Sequence, residues 1–70
     1  MIDLVPVTSS NIDAVGYDPQ EKILAVKFKD GSLYHYSDVE KDVHEGLTSA
    51  KSIGAHFHKN IKGSYSHSKQ

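Results

Sequence analysis

Seventy residues make room for one domain, and without a cysteine the chain has neither a disulfide staple nor a thiolate metal site. A formal net charge of −1 lacks the basic excess of a strongly electrostatic nucleic-acid binder, and with no arginine the bidentate guanidinium grip on phosphate and guanine is missing. No basic leader followed by an apolar run opens the sequence, and no apolar stretch approaches the roughly 20 residues of a membrane span, which points to a cytoplasmic protein.

Residues 1–10 read as a lead-in, because Pro6 limits strand pairing and Thr8-Ser9-Ser10-Asn11 is turn-prone. Ile12 to Tyr17 is a first strand, with Ile12, Ala14 and Gly16 alternating with Asp13, Val15 and Tyr17. Asp18-Pro19-Gln20-Glu21 is a turn. Lys22 to Phe28 is the clearest strand, with Leu24, Val26 and Phe28 on one face and Ile23, Ala25 and Lys27 on the other.

A hairpin leads from there to Leu33-Tyr34-His35-Tyr36, and its loop length decides where the tyrosines point. A two-residue Asp30-Gly31 turn would pair Lys27 with Tyr34. A three-residue Lys29-Asp30-Gly31 loop, with Gly31 left-handed, would pair Val26 with Tyr34 and Leu24 with Tyr36. The longer loop is preferred, because it gathers the bulky side chains on one face and a slip of one residue would scatter them.

Ser37-Asp38-Val39-Glu40 has the form of a capping box, and Val39, Val43, Leu47 and Ala50 follow at helical spacing. Gly46 interrupts that helix and is read as a mark of close packing. Ser52 caps a second, shorter helix on which Ile53, Phe57 and Ile61 recur every four residues, with Gly63 as its stop. Ser64 to Gln70 is a tail pinned at Tyr65 and frayed beyond it. The sum is an α+β fold: a three-stranded antiparallel meander followed by two short helices packed on one face, one domain over residues 1–70 with its core at about 8–65.

These residues, taken in order, resemble a known family. Ser9-Ser10-Asn11-Ile12, Ala14-Val15-Gly16-Tyr17-Asp18, Leu24-x-Val26-x-Phe28, Gly31-x-x-Tyr34-x-Tyr36, Leu47-x-x-Ala50-x-Ser52-x-Gly54, Phe57-x-x-x-Ile61 and Tyr65 together are similar to the KTSC domain. That small domain is named for the C-terminus of some lysyl-tRNA synthetases and also occurs alone as a short bacterial or phage protein. Its central Tyr-x-Tyr pair is matched by Tyr34 and Tyr36. The chain departs from the pattern at Glu40, where the family usually has proline, and at His58, where it usually has asparagine. The synthetase context implies RNA as a ligand.

Two constellations bear on function. Tyr34 and Tyr36 are either a platform for unpaired bases or core residues with their hydroxyls at the rim. Lys51, His56, Lys59 and Lys62 offer a basic strip along the second helix, since no acidic side chain follows Glu45. His56-x-His58 does not make a metal site, because the two side chains diverge on a helix. No glycine-rich phosphate loop, nucleophile elbow or cysteine nucleophile is present, so neither catalysis nor a cofactor is expected. The expectation is a non-catalytic module that binds RNA or another nucleic acid. The alternative is a protein-interaction module using an edge strand or the sheet face that carries Ile23, Leu33 and His35.

Overall fold

The computed structural model describes residues 2–70; Met1, the first residue of the predicted lead-in, lies outside them. The sheet is antiparallel throughout and has five strands, not three: β1 (Val5–Pro6), β2 (Ile12–Asp18), β3 (Ile23–Phe28), β4 (Leu33–Tyr36) and β5 (His67–Lys69), side by side in that order. Helices α1 (Lys41–Thr48) and α2 (Ile53–Asn60) lie between β4 and β5 in sequence and cover one sheet face. Their Leu47, Ile53 and Phe57, with Ile61 just beyond α2, join Ile12, Val15, Leu24, Val26 and Tyr36 in a single apolar core.

The three central strands form as their sequences dictate. The Asp18 carboxylate accepts the backbone N–H groups of Gln20 and Glu21 at 3.0 and 3.3 Å, turning β2 into β3. Gly31 adopts φ +95° in the next turn, and β4 pairs Val26 with Tyr34 and Leu24 with Tyr36. This is the register of the three-residue loop, and it turns both tyrosines toward the helices. One departure concerns β2, where simple alternation would divide Ile12 from Val15. A bulge between Ile12 and Ala14 leaves Asp13 without a partner on β3, so Ile12, Val15 and Tyr17 all face the core.

The outer strands correct the reading of both ends. Val5 and Pro6 pair with Val15 and Ala14, and Pro6 is tolerated because β1 is an edge strand. Residues 2–4 then cross the far face of the sheet over Gly16. A methyl group on Gly16 would overlap the Asp3 carbonyl oxygen and stand 2.8 Å from Ile2 Cγ2. The tail is not frayed beyond Tyr65. Lys69, Ser68 and His67 pair with Tyr34, His35 and Tyr36. The Ser37 N–H donates to the Ser66 carbonyl at 2.9 Å, and the Gln70 N–H to that of Leu33 at 2.7 Å. Without these residues β4 would leave its polar backbone groups unpaired at an edge.

The segment before α1 also differs from its local pattern. Ser37 does not cap the helix; the residue at that position is Glu40, whose side chain makes no capping bond. Asp38 takes a left-handed φ of +60°, which breaks any helix there and sends Val39 into the core. Val39 is then held by its backbone. Its N–H donates to the Lys22 carbonyl at 2.9 Å, and its carbonyl accepts from the Tyr17 hydroxyl. Each such bond contributes roughly 1 kcal/mol net. Burial first, and then the Glu40 carboxylate, hold the Tyr17 hydroxyl above its ordinary pKa, so it stays a donor. Ser52 does cap α2, accepting the Ala55 N–H at 3.3 Å, and Gly63 turns the chain after it with φ +86°.

Gly46 is not a point of close packing. It is exposed, and a methyl there would meet only His56 Nε2, at 3.9 Å. The helical glycine that is pressed is Gly54, where a methyl would come within 2.6 Å of Asn11 Oδ1 and 3.1 Å of Ser9 Oγ. The Ser9–Asn11 turn, with the Ser9 hydroxyl donating to Asn11 Oδ1 at 3.1 Å, is thereby docked on the first turn of α2.

Candidate nucleic-acid interface

The register that buries the tyrosines also builds a cavity beside them. Phe28 at the end of β3, Tyr34 and Tyr36 on β4 and Phe57 on α2 are its aromatic walls, and its volume is about 290 Å³. Phe28 meets Tyr34 edge-on, with ring centroids 5.7 Å apart, and Phe57 meets Phe28 and Tyr36 at 5.5 and 5.4 Å. This edge-to-face order is the one that ring quadrupoles favour. The His67 ring on β5 lies 5.3 Å from Tyr36 and 5.7 Å from Tyr34, closing the outer side.

Polar groups ring the mouth. Lys62 and His58 come from the end of α2 and the turn after it; Asp30 and Ser32 come from the β3–β4 turn, and Asn11 from the loop before β2. The Asp30 carboxylate accepts the Ser32 N–H at 2.9 Å. That bond first, and then the nearby Ser32 side chain, hold its pKa below the ordinary carboxylate value. Burial, then the neighbouring Tyr34, push the Tyr36 hydroxyl above its usual pKa, so the cavity wall is uncharged there.

Three of the six residues singled out from the sequence meet here: Tyr34, Tyr36 and Lys62. They divide in role, since Tyr36 is 4% exposed and belongs to the core while Tyr34 is half-buried and borders the cavity. The other three do not continue a strip from Lys62. Lys59 is exposed on α2 but does not line the cavity. His56 is half-buried and turned toward Gly46 of α1. Lys51 precedes α2 and borders a second, larger cleft. The helical spacing of 59 and 62 fails because α2 ends at Asn60. Asn11, Asp30, His58 and His67 were not picked out as site residues. For His67 a signal existed: Tyr65, His67 and Lys69 alternate as on a strand.

The second cleft, of about 890 Å³, runs between the β1–β2 edge and α1. In it the Tyr17 and His44 rings stack in parallel at 5.1 Å, 10° apart. Burial holds the pKa of His44 below its usual value, against the opposing pull of Glu45. Val5, at 62% exposure, is the one large apolar side chain that is exposed among the described residues. Among those residues no three histidine, aspartate or glutamate side chains gather as they would around a metal, and no helix is long and apolar enough to cross a membrane.

Comparison with known proteins places this geometry in a lineage. The family model of the KTSC domain matches residues 8–65. An uncharacterised protein of Stutzerimonas stutzeri is 41% identical over 58 residues, which is 83% of this chain and 82% of that one. A lysine–tRNA ligase of a Nostoc species is 40% identical over 62 residues; these are 89% of this chain but only 11% of the ligase. The crystal structure of a KTSC domain protein from Yersinia pestis superposes with a TM-score of 0.94 at 35% identity, covering 100% of this chain and 99% of that one.

Proposed function

Since the chain belongs to the KTSC domain family, we propose that it is a small non-catalytic module of the cytoplasm that binds RNA or another single-stranded nucleic acid. The observation that carries this reading is the convergence of Tyr34 with Lys62 and His58 on one cavity. Bases present flat apolar faces that stack on aromatic rings, and each is followed by a phosphate that a lysine attracts. Tyr34 supplies ring surface for the first and Lys62 a cation for the second. The lysine–tRNA ligase relatives add weight, because their names couple the same domain to an enzyme that acts on RNA. The domain is only about a tenth of those enzymes, so it is read as an accessory to their chemistry.

Binding by one lysine and its neighbours is weak and sensitive to salt, since few counterions are released. Titrating short single-stranded RNA at low ionic strength is expected to move the amide signals of Tyr34, His58, Lys62 and His67. Lys62→Gln should lower the slope of log affinity against log salt by about 0.7, the share of one phosphate contact on a single strand. If no amide around the cavity moves, the reading fails.

Val5 favours a second reading, a protein partner laid along the free edge of β1 beside the larger cleft. The Ile23, Leu33 and His35 side is half-buried and offers less open surface. For self-association through β1, the amides of Val5 and Val7 should shift with protein concentration. Spectra unchanged between 20-fold dilutions would dismiss self-association through that edge.

A further inference from the structure

One group at the mouth of the cavity is at odds with a polyanionic ligand. Asp30 stands on the rim with Lys62 and His58, and its carboxylate repels phosphate. It is also held in place: Ser32 binds one oxygen at 2.9 Å, and Gly31, at φ +95°, fixes the turn that carries it. A carboxylate has about four acceptor sites on two oxygens and no donor. The Ser32 N–H engages one oxygen, so most of that acceptor capacity remains unused within the turn. On the rim of a nucleic-acid site, such a group is tolerated where the ligand brings donors to it.

Among the four bases of RNA, guanine is the one whose Watson–Crick edge presents two adjacent N–H donors, at N1 and at the 2-amino group. They match the two oxygens of one carboxylate. Adenine and cytosine set their amino group beside a ring acceptor, and uracil sets its N–H between two carbonyl oxygens that a carboxylate opposes.

Resting on the RNA-binding reading above, we propose that the cavity selects guanine, with the Asp30 carboxylate as the group that determines specificity. The base stacks on Tyr34 and its Watson–Crick edge meets Asp30, while the attached phosphate lies toward Lys62. Fixing the carboxylate beforehand matters, because a side chain already held loses little freedom on binding.

The experiment uses heptauridine with one central guest nucleotide, titrated at low salt and followed by residue-resolved amide shifts. Guest guanosine is expected to bind about tenfold tighter than guest adenosine, cytidine or uridine, as one bidentate pair allows. Guest inosine, which lacks the 2-amino group, should lose most of that advantage. Asp30→Asn should level the four guests. Its side-chain oxygen can still accept the Ser32 N–H, so the turn survives, and unchanged amide signals outside the hairpin establish that the variant is folded. Equal, measurable affinity for all guests overturns guanine selection while leaving RNA binding in place, and reduces Asp30 to a turn residue. An Asp30→Asn protein that keeps the preference overturns it as well. No binding by any oligonucleotide removes the underlying reading and the proposal together. Free guanosine monophosphate shifting the same amides as strongly as the guest-guanosine strand would support selection of the base in a mononucleotide; a weaker response would support it within RNA.

Discussion

Phe57→Ala is expected to leave the domain largely unfolded at 25 °C. Phe57 is 3% exposed and its ring touches both Phe28 and Tyr36, so truncation removes the centre of the aromatic cluster and opens a void beneath the cavity. Such a change costs about 3–5 kcal/mol. A chain of this size has only a few kcal/mol of stability in total, because it hides little more than about half of the surface its unfolded form exposes. Circular dichroism during urea titration is the measurement. A cooperative transition displaced by less than about 1 kcal/mol would mean that the neighbouring rings collapse into the gap. Phe57→Leu, which retains most of the volume, should remain folded.

Gly16→Ala is expected to cost about 1–3 kcal/mol, the range for a methyl forced into packed structure. The obstacle here is backbone: the added carbon would overlap the Asp3 carbonyl oxygen and press on Ile2. Backbone cannot swing aside as a flexible side chain can, so residues 2–4 must lift from the sheet. This gives the prediction a sharp control. In a chain lacking residues 1–4 the obstacle is gone, and the same substitution should cost almost nothing or stabilise slightly, since alanine restricts the unfolded chain more than glycine does. The two changes should therefore be strongly non-additive in a double-mutant cycle. Additive losses would show that the N-terminal segment does not rest on Gly16.

How much of this was legible in the sequence depends on how far apart the interacting residues are. The β2–β3–β4 meander was readable because each turn carries its own signal, and the tyrosine register followed from which loop buries more ring surface. The outer strands were not readable, since β1 and β5 are short, wholly exposed and defined only by the neighbours they meet. The capping box at Ser37 was a local pattern overruled from a distance: Lys22 and Tyr17 hold Val39 on both sides of its peptide and pull the chain out of helix. Glycines show the same limit. Gly46 looked constrained because it interrupts a helix, while Gly16 and Gly54 are the constrained ones, because of residues 2–3 and 9–11. Of the candidate site, Tyr34 and Tyr36 could be found from type and pattern, and Lys62 from type alone, since the helical spacing that singled it out ends with α2 at Asn60. Asp30 was visible only as a turn residue, and the alternation of Tyr65, His67 and Lys69 hinted at a strand without saying which neighbour it meets, because a rim assembled from four parts of the chain has no linear signature.

The strand β5 also sets an order of events. The meander strands meet across turns of a few residues, whereas β5 reaches β4 only after both helices, with residues 37–66 enclosed between them. Closing a loop of that length is slower and entropically dearer than closing a hairpin. In folding, the aromatic cavity is then expected to be finished last, when His67 arrives against a meander and helix pair already in contact. Read in reverse, β5 should be a unit of low local stability. Its amides should exchange with solvent ahead of those in β3, and Tyr34 is uncovered on its outer side each time the strand leaves.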